Sequence, residues 1–300
     1  MAHSHGHHNE VSSKKLLIAT LLNFLITVVE VAGGIFSNSL ALLSDALHNL
    51  GDTFAVLIAY IANKISKSPP NSKNTFGLKR IEILAALFNA VVLVVITIYL
   101  FKEAYERFIN PEPINGVIMF VVAVIGLLAN LYSVILLKRD SKKNLNIKAA
   151  YLHLLGDTIS SVAVIAGALF IHYFNFFWID PLITVIIGIY ILKEAFSVLK
   201  ETVDILMQRT PRDLNLNKIQ QELESLEEIK NIHHVHIWNL TDQLIHFECH
   251  VELMNDMRIT ETESIQQKIE KMLHNNFNIE HVTLQFEYEC CHETKMIKTE

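Results

Sequence analysis

The chain has 300 residues, of which 51% are hydrophobic and only 19% are charged, and its mean hydropathy is +0.32. This composition is too apolar for an ordinary soluble chain of that length and indicates a membrane protein. Residues 1–200 carry 16 basic and 12 acidic groups, whereas residues 201–300 carry 9 and 19. The acidic second part argues against nucleic acid as a partner, because phosphate groups would be repelled, and suits metal cations better.

Six stretches are long and apolar enough to cross a hydrocarbon layer of about 30 Å as helices. Lysine and arginine precede the first stretch and fill the second and fourth connections, which predicts that these parts and both termini face the cytoplasm. We therefore expect an all-α bundle of six transmembrane helices, a multi-pass protein of the cell membrane surrounded by the lipid bilayer. The stretches run near residues 14–36, 40–63, 82–107, 114–137, 147–173 and 178–200.

The sequence changes character after Thr210, where alternating and helical patterns typical of a soluble domain begin. Their order predicts a cytosolic α+β domain with α-β-β-α-β topology, an open-faced sandwich of the metallochaperone or ferredoxin-like kind. Helices are predicted over 213–228 and 261–276, and strands over 232–240, 244–253 and about 282–288.

These patterns divide the chain into four parts. A histidine-rich cytosolic N-terminus and a mobile tail flank the two folded domains. The parts are the N-terminus over 1–13, the transmembrane domain over 14–207, the cytosolic α+β regulatory and dimerisation domain over 208–290, and the tail over 291–300.

Two predicted transmembrane helices carry the same ionisable pattern. His48 and Asp52 are four residues apart in the second helix, and His153 and Asp157 have the same spacing in the fifth. Each pair therefore lies on one helix face. The segments LHNLGDT and LHLLGDT agree at six of seven positions, 105 residues apart. If the two helices face each other, two imidazoles and two carboxylates converge, which is a ligand set that tetrahedral Zn²⁺ accepts.

A single His-x-x-x-Asp pair could equally form hydrogen bonds that hold neighbouring helices together. Two matching copies favour a metal, because paired acids without a cation would repel each other or have to bind protons. We expect the remaining polar residues of the helices to be structural or to support the ligands, since a closed four-ligand site needs no fifth group. These residues include Asn23, Glu30, Asp45, Asn89 and Asp180.

With these motifs the chain resembles the cation diffusion facilitators, and among them the zinc-type exporters of bacteria. The resemblance rests on the paired His-x-x-x-Asp motifs and on SLALLSDALHNLGD from Ser39, FGLKRIEILAALFN from Phe76 and HHVHIW from His233. It extends from about Lys14 to Glu289. It implies a homodimer, joined through the cytosolic domain, that expels a divalent metal from the cytoplasm in exchange for protons.

The resemblance also implies where metal binds. It carries the transport site onto His48, Asp52, His153 and Asp157, the residues that the spacing selects independently. Members of the family with aspartate at the position of His48 are associated with other or broader metals, so this histidine points to zinc, with imidazole's softness as the physical reason.

A second, regulatory zinc is implied in the cytosolic domain, on His233, His250 and Glu287. Strand alternation conflicts with this set, because it places His233 on the face of Val235, opposite His234 and its polar neighbours. A solvated strand face that merely carries histidines is the alternative. Gln285 and Glu263 stand where some relatives have histidine, which leaves the number of ions in this domain open.

The leading functional hypothesis is a zinc/proton antiporter that works by alternating access, with Cd²⁺ and Co²⁺ as further candidate substrates. His48 and His153 are expected to carry protons, because imidazole titrates near neutrality. Zinc is substrate and regulatory ligand, and no cofactor is expected. The rivals are a membrane sensor that binds zinc without moving it, and a membrane zinc hydrolase. We expect no enzyme, because the chain lacks H-E-x-x-H and four protein ligands leave no position for water.

Overall fold

The computed structural model describes residues 6–138, 145–289 and 296, and of residues 6–17, 145–147 and 149 it describes the backbone alone. The predicted tail over 291–300 lies outside the described residues except for Met296, and so do the side chains of the histidine-rich N-terminus. The chain divides into two compact units, one made of residues 1–60 and 88–199 and the other of residues 61–87 and 200–300.

Six long helices precede the α+β part, and each corresponds to one predicted stretch. The main difference lies at the ends, because the first helix begins earlier and the sixth ends later than the apolar residues alone indicate. The helices are α1 (Gly6–Ser37), α2 (Leu40–Ser66), α3 (Ile81–Ile109), α4 (Gly116–Leu137), α5 (Leu145–Phe174) and α6 (Ile179–Leu206).

The length and apolar composition of the described helices identify them as a transmembrane region. Five of them, α1 and α3 to α6, contain a segment long and apolar enough to cross a membrane. The polar residues of α2, among them Asp45, His48 and Asp52, reduce its hydropathy. Large apolar side chains such as Phe88 and Val95 are 63% and 61% exposed. Such an outer surface is suited to lipid rather than to water.

A carboxylate from α6 holds the start of α2. Asp180 is fully buried and accepts hydrogen bonds from the backbone N–H groups of Leu40 (2.8 Å) and Ala41 (3.2 Å) and from the Ser39 hydroxyl (2.5 Å). The first N–H groups of a helix have no partner within the helix, and the helix dipole favours a negative charge beside them. Asp180 therefore fixes α2 at a point about two turns before His48.

The α+β unit has the predicted α-β-β-α-β order and a three-stranded sheet in the order β1-β2-β3. Strands β1 and β2 are antiparallel, while β2 and β3 are parallel and are connected by a helix, as a parallel pair requires. The elements are α7 (Leu216–Glu224), β1 (Ile229–Asn239), β2 (Ile245–Leu253), α8 (Ile259–Phe277) and β3 (His281–Glu287).

The predicted helix over 213–228 was wrong at both ends. Asn215 adopts an extended conformation, and its side chain accepts hydrogen bonds from the N–H groups of Asn217 and Lys218, so α7 begins only at Leu216. At the other end α7 stops at Glu224, because the chain turns directly into β1. The apolar periodicity continued through this turn and gave no sign of the boundary.

Both helices of this unit cover one face of the sheet. Ile219 of α7 and Ile269 of α8 are fully buried against Phe247 and Val251 of β2. Burial raises the pKa of the Cys249 thiol, on the same sheet face, to about 12, which makes it an inert core residue rather than a metal ligand. The other sheet face carries the histidines and glutamates, so the predicted open-faced arrangement is present.

Candidate metal centre

The structure brings together the side chains of the two His-x-x-x-Asp motifs. Asp52 Oδ2 lies 3.5 Å from His48 Nε2 and 3.2 Å from His153 Nε2. The Asp157 carboxylate lies 3.9 and 3.6 Å from the same two nitrogens. Zn²⁺ with ligands at about 2.1 Å in a tetrahedron separates those ligands by about 3.4 Å. His48, His153 and Asp157 offer ligand atoms that all lie within 4.8 Å of one another, and Asp52 lies beside both imidazoles. The arrangement therefore suits a single such ion.

The local helix geometry explains this convergence. Residues four apart in a helix lie on the same face, so α2 presents His48 above Asp52 and α5 presents His153 above Asp157. About two turns of α2 separate His48 from the Asp180 contact at Leu40 that fixes the start of the helix. Each helix thus supplies one imidazole and one carboxylate.

The site is more open on one side than on the other. The side chains of His48 and Asp157 are 6% and 3% exposed, whereas those of Asp52 and His153 are 30% and 32% exposed. An ion would therefore reach Asp52 and His153 first. Among the described residues, neither ring nitrogen of His48 has a hydrogen-bond partner, although both are buried. A buried polar group in this state is costly, and a bound cation would satisfy it.

Two further residues support the site, and no sequence pattern pointed to either. Ser160, one turn after Asp157 on α5, donates a 2.5 Å hydrogen bond to Asp45 of α2 and so joins the two metal-binding helices. Tyr190 of α6 places its ring edge-on to His48, with the centroids 6.2 Å apart. Serines and tyrosines are ordinary residues in transmembrane helices, and neither belongs to a repeated motif.

The glycine beside each aspartate allows close contact with a third helix. A Cβ atom on Gly51 would overlap Leu93 of α3, and one on Gly156 would press against the Tyr190 hydroxyl of α6. Each glycine lies directly before its aspartate, where the absence of a side chain leaves the backbone open to a neighbouring helix. The structure shows that α3 and α6 are the helices that make this approach.

A second cluster lies on the polar face of the α+β unit and contains His233, His250 and Glu287. Glu287 lies 3.2 Å from His233 Nε2 and 2.7 Å from His250 Nδ1. Asn231 Oδ1 lies 3.0 Å from the other nitrogen of His233, which positions that ring with Nε2 directed at Glu287. Two imidazoles and a carboxylate at this separation fit three ligands of a zinc ion.

A β-bulge in β1 resolves the conflict between this cluster and strand alternation. His233 pairs with His250, but the next pair is His236 with Glu248, so two residues of β1 face one residue of β2. His234 accommodates the bulge with a φ of 52°, a left-handed conformation that non-glycine residues seldom adopt. Directly before the bulge, Asn231 and His233 face the polar side, whereas after it the even-numbered His236 and Trp238 do.

The positions at which relatives differ lie in different surroundings. Gln285 donates a 2.7 Å hydrogen bond to Glu287 and so supports the cluster. Glu263 is exposed on α8, which packs on the opposite face of the sheet. Within the described part of one chain, the structure thus brings three predicted ligands together and leaves Glu263 apart.

The fold and the first cluster define a multi-pass membrane protein whose helices enclose a set of imidazole and carboxylate groups suited to a divalent cation. The chain belongs to the cation efflux family. The family's transmembrane domain matches residues 16–207, and the cytoplasmic domain of cation efflux proteins matches residues 211–289. This family consists of membrane transporters, not enzymes.

Named relatives are similar over nearly the whole chain. The zinc transporter ZitB of Pectobacterium atrosepticum is 39% identical over 97% of this chain and 90% of its own length. The cadmium, cobalt and zinc/H(+)-K(+) antiporter of Bacillus subtilis is 40% identical over 95% and 92%. The solved metal-bound C-terminal domain of the CzcD transporter from Cupriavidus metallidurans is 30% identical, covers 25% of this chain and 99% of its own, and has a TM-score of 0.22.

Proposed function

We propose that this protein exports Zn²⁺ from the cytoplasm in exchange for protons by alternating access, with Cd²⁺ and Co²⁺ as further substrates. The observation that carries the proposal is the convergence of His48, Asp52, His153 and Asp157 inside the helical unit. The names of the relatives, which include zinc transporters and a cadmium, cobalt and zinc/H(+)-K(+) antiporter, support the same function.

The chemistry of the four groups suits reversible binding. Asp52 and Asp157 balance the charge of a divalent ion, which removes most of the cost of holding it at low dielectric. His48 and His153 bind metal only in the neutral form, so protons and metal compete for the same nitrogens. A low pH on the outer side would therefore expel the ion, and the higher pH of the cytoplasm would allow it to bind.

The proposed topology has six crossings and both termini in the cytoplasm. In it α2 is the sixth crossing, because its length of 27 residues suffices and its polar groups face other helices rather than lipid. The lysines and arginines of the connections after α2 and α4 support the orientation.

The cytoplasmic domain serves, in this proposal, as a zinc-responsive dimerisation domain. His233, His250 and Glu287 offer three ligands, and a facing subunit or water would complete the coordination. Zinc bound there is regulatory, in contrast to the transported ion. The match to the cytoplasmic domain of the family supports a homodimer joined by this part.

Uptake of radioactive zinc into inverted membrane vesicles tests the proposed transport. An acid-inside gradient should drive zinc into vesicles that contain the protein, and collapsing the gradient should stop the uptake. Uptake no greater than in vesicles without the protein, together with intact zinc binding, would favour the sensor over the transporter.

Variants of the aspartates test the assignment of the site. Asp52→Ala or Asp157→Ala leaves three donors and a net positive ion–ligand cluster, so gradient-driven uptake should fall at least about tenfold. Asp242→Ala, at an exposed aspartate of the cytoplasmic domain, is the matched control and should transport normally. Near-normal uptake in both membrane variants would refute the assigned transport site.

A further inference from the structure

A second buried acidic cluster lies in the helical unit beside the proposed transport site. Glu30 of α1 and Asp45 of α2 are each 1% exposed. Among the ion pairs of the described side chains, none joins either carboxylate to a lysine or an arginine. An ionised carboxylate buried in a membrane without a cation is costly, and two neighbouring ones also repel each other.

The hydrogen bonds around Glu30 leave too few donors for the acceptors. Asn49 Nδ2 donates to Glu30 Oε2 at 3.1 Å, while the other carboxylate oxygen lies against the bare backbone of Gly126 on α4. Asn49 Oδ1 is buried beside this carboxylate and has no hydrogen-bond partner among the described residues. One turn along α4, the Asn130 amide is buried, and neither its donor nor its acceptor has a partner among the described residues, so it donates no hydrogen bond to Glu30. A proton on the Glu30 carboxyl would supply a missing donor.

The charged and titratable groups that act on Glu30 come from two other helices. Asp45 of α2 and Asp157 of α5 are close enough to Glu30 for their charges to interact, and His48 in turn acts on Asp45. From α4 the group that faces Glu30 is the uncharged Gly126. Apart from imidazoles, the described titratable groups around Glu30 are therefore acidic. The net charge that Glu30 experiences depends on whether a cation is bound at His48 and Asp157.

We propose that Glu30, with Asp45 as its acidic neighbour, carries a counter-transported proton at a place separate from the metal ligands. When Zn²⁺ binds, its positive charge favours the ionised carboxylate, and the Glu30 carboxyl gives its proton to water. When the ion leaves, a proton from water returns to Glu30. This inference rests on the proposed zinc/proton exchange and adds a carrier that does not touch the ion.

Proton release during zinc binding tests the inference directly. The purified full-length protein with His250→Ala and Glu287→Ala, which removes the cytoplasmic cluster, is titrated with ZnCl2 by calorimetry in buffers of different ionisation enthalpy. Adding Glu30→Gln should reduce the protons released per zinc by about one, because the amide cannot titrate. Because linkage is reciprocal, zinc affinity should fall in Glu30→Gln at a pH where the parent's Glu30 is ionised. It should change little at a lower pH where Glu30 stays protonated, since Glu30 is not a ligand.

Two further variants separate proton carriage from structure. Glu30→Asp keeps a titratable carboxyl and should restore most of the proton release. Glu82→Gln is the matched control, because Glu82 also accepts a hydrogen bond from an asparagine, Asn63 at 3.2 Å, but stands outside the buried cluster. It should release as many protons as the parent protein. Unchanged release in Glu30→Gln, or equal loss in Glu82→Gln, would overturn the proposal.

Transport in proteoliposomes gives the second readout. Zinc/zinc exchange at equal pH moves no net proton and should persist in Glu30→Gln, whereas the response to a pH gradient should fall by about fivefold or more, the lower range of a typical coupling between sites. Loss of both activities alike would indicate a structural role and refute proton carriage. If zinc transport follows an imposed K⁺ gradient instead of the pH gradient, Glu30 would be assigned to the binding of K⁺ rather than of a proton, which would overturn the proposal. If the parent protein shows no gradient-driven transport, the proposed antiport fails, while the calorimetric comparison still decides whether Glu30 binds the proton.

Discussion

At the scale of single residues, His48 is the position at which metal preference is expected to be set. His48 is the more buried of the two imidazoles, since 6% of its side chain is exposed against 32% for His153. An imidazole is a softer and uncharged donor, and it favours zinc over harder ions that prefer oxygen. We therefore expect its identity to affect which metals the site accepts.

His48→Asp should widen the range of accepted metals. The substitution replaces a neutral nitrogen donor by an anionic oxygen donor, so Mn²⁺ and Cd²⁺ should compete better against radioactive zinc. Competition during vesicle uptake is the measurement. His172→Asp, at an exposed histidine near the other end of α5, is the control that makes the same chemical change away from the site. If the two variants and the parent show one competition profile, selectivity does not reside at His48.

The surroundings of His246 in the cytoplasmic domain lower the pKa of its imidazole. Its ring is buried, stacks on Trp238 with centroids 5.4 Å apart and lies 4.3 Å from the ring of His281. Burial is the main cause that lowers the pKa of His246, and His281, Lys79 and Arg80 lower it further because they disfavour a second positive charge. The neutral imidazole is thus the form that the folded protein prefers.

Acidification should therefore weaken the packing around His246. Because its folded pKa lies below the ordinary value of 6.5, the stabilisation is present above that pH and is lost as pH falls through the folded pKa. In a Trp178→Phe variant, Trp238 is the remaining tryptophan, and its fluorescence should be quenched by the imidazolium with a midpoint below pH 6.5. His246→Gln should abolish the transition. A midpoint at or above the ordinary value would contradict the burial argument.

At the scale of elements, the bulge in β1 determines which histidines can meet a metal. It reverses the alternation of side chains between His233 and His236, and it depends on the left-handed conformation of His234. That conformation costs a residue with a Cβ atom about 1–2 kcal/mol, and a β-branched side chain tolerates it worst. The strained conformation of His234 therefore accompanies the bulge that places His233 beside His250.

His234→Val should destabilise the cytoplasmic domain by about 1–2 kcal/mol, because valine disfavours a positive φ. Urea unfolding followed by circular dichroism on the expressed domain gives the free energy of unfolding. His236→Val is the matched control, since His236 is exposed in extended backbone where valine is favoured. Equal stability of the two variants would show that the bulge is not strained at His234.

At the scale of the whole molecule, we propose that metal binding at the cytoplasmic cluster strengthens association of two chains. A ligand that binds the associated form better than the separate chains must strengthen association by mass action. The domain has its own hydrophobic core around Phe247 and Ile269, so it is suited to study as an expressed fragment. Zinc should move this fragment from monomer towards dimer.

Sedimentation equilibrium of the domain measures that shift. Zinc should increase the dimer fraction, and lower pH should reverse the increase because protonated histidines cannot bind metal. His250→Ala combined with Glu287→Ala should remove the zinc dependence. His274→Ala combined with Glu280→Ala changes the same residue types at exposed positions outside the cluster and should leave it intact. Identical association of the parent and both double variants would refute the regulatory role and leave the membrane site untouched.

The sequence by itself determined the helices and the pairing of motifs. Apolar runs of membrane length leave few alternatives to a helix, because backbone groups in lipid must bond within their own segment. The duplicated His-x-x-x-Asp spacing also predicted which four side chains converge, since a period of 3.6 residues fixes the face on which they lie. Family resemblance, rather than periodicity, suggested the ligands of the cytoplasmic domain.

Only the tertiary structure decided the features that depend on contacts between distant segments. Strand alternation placed His233 on the apolar face, and the bulge at His234 reversed this through pairing with β2, which no local pattern in β1 reveals. Likewise, Asp180 caps α2 from a position 140 residues away, and Glu30 meets Asn49 of another helix. Periodicity describes how one segment is divided into faces, whereas a shortage of hydrogen-bond donors arises only where several segments come together.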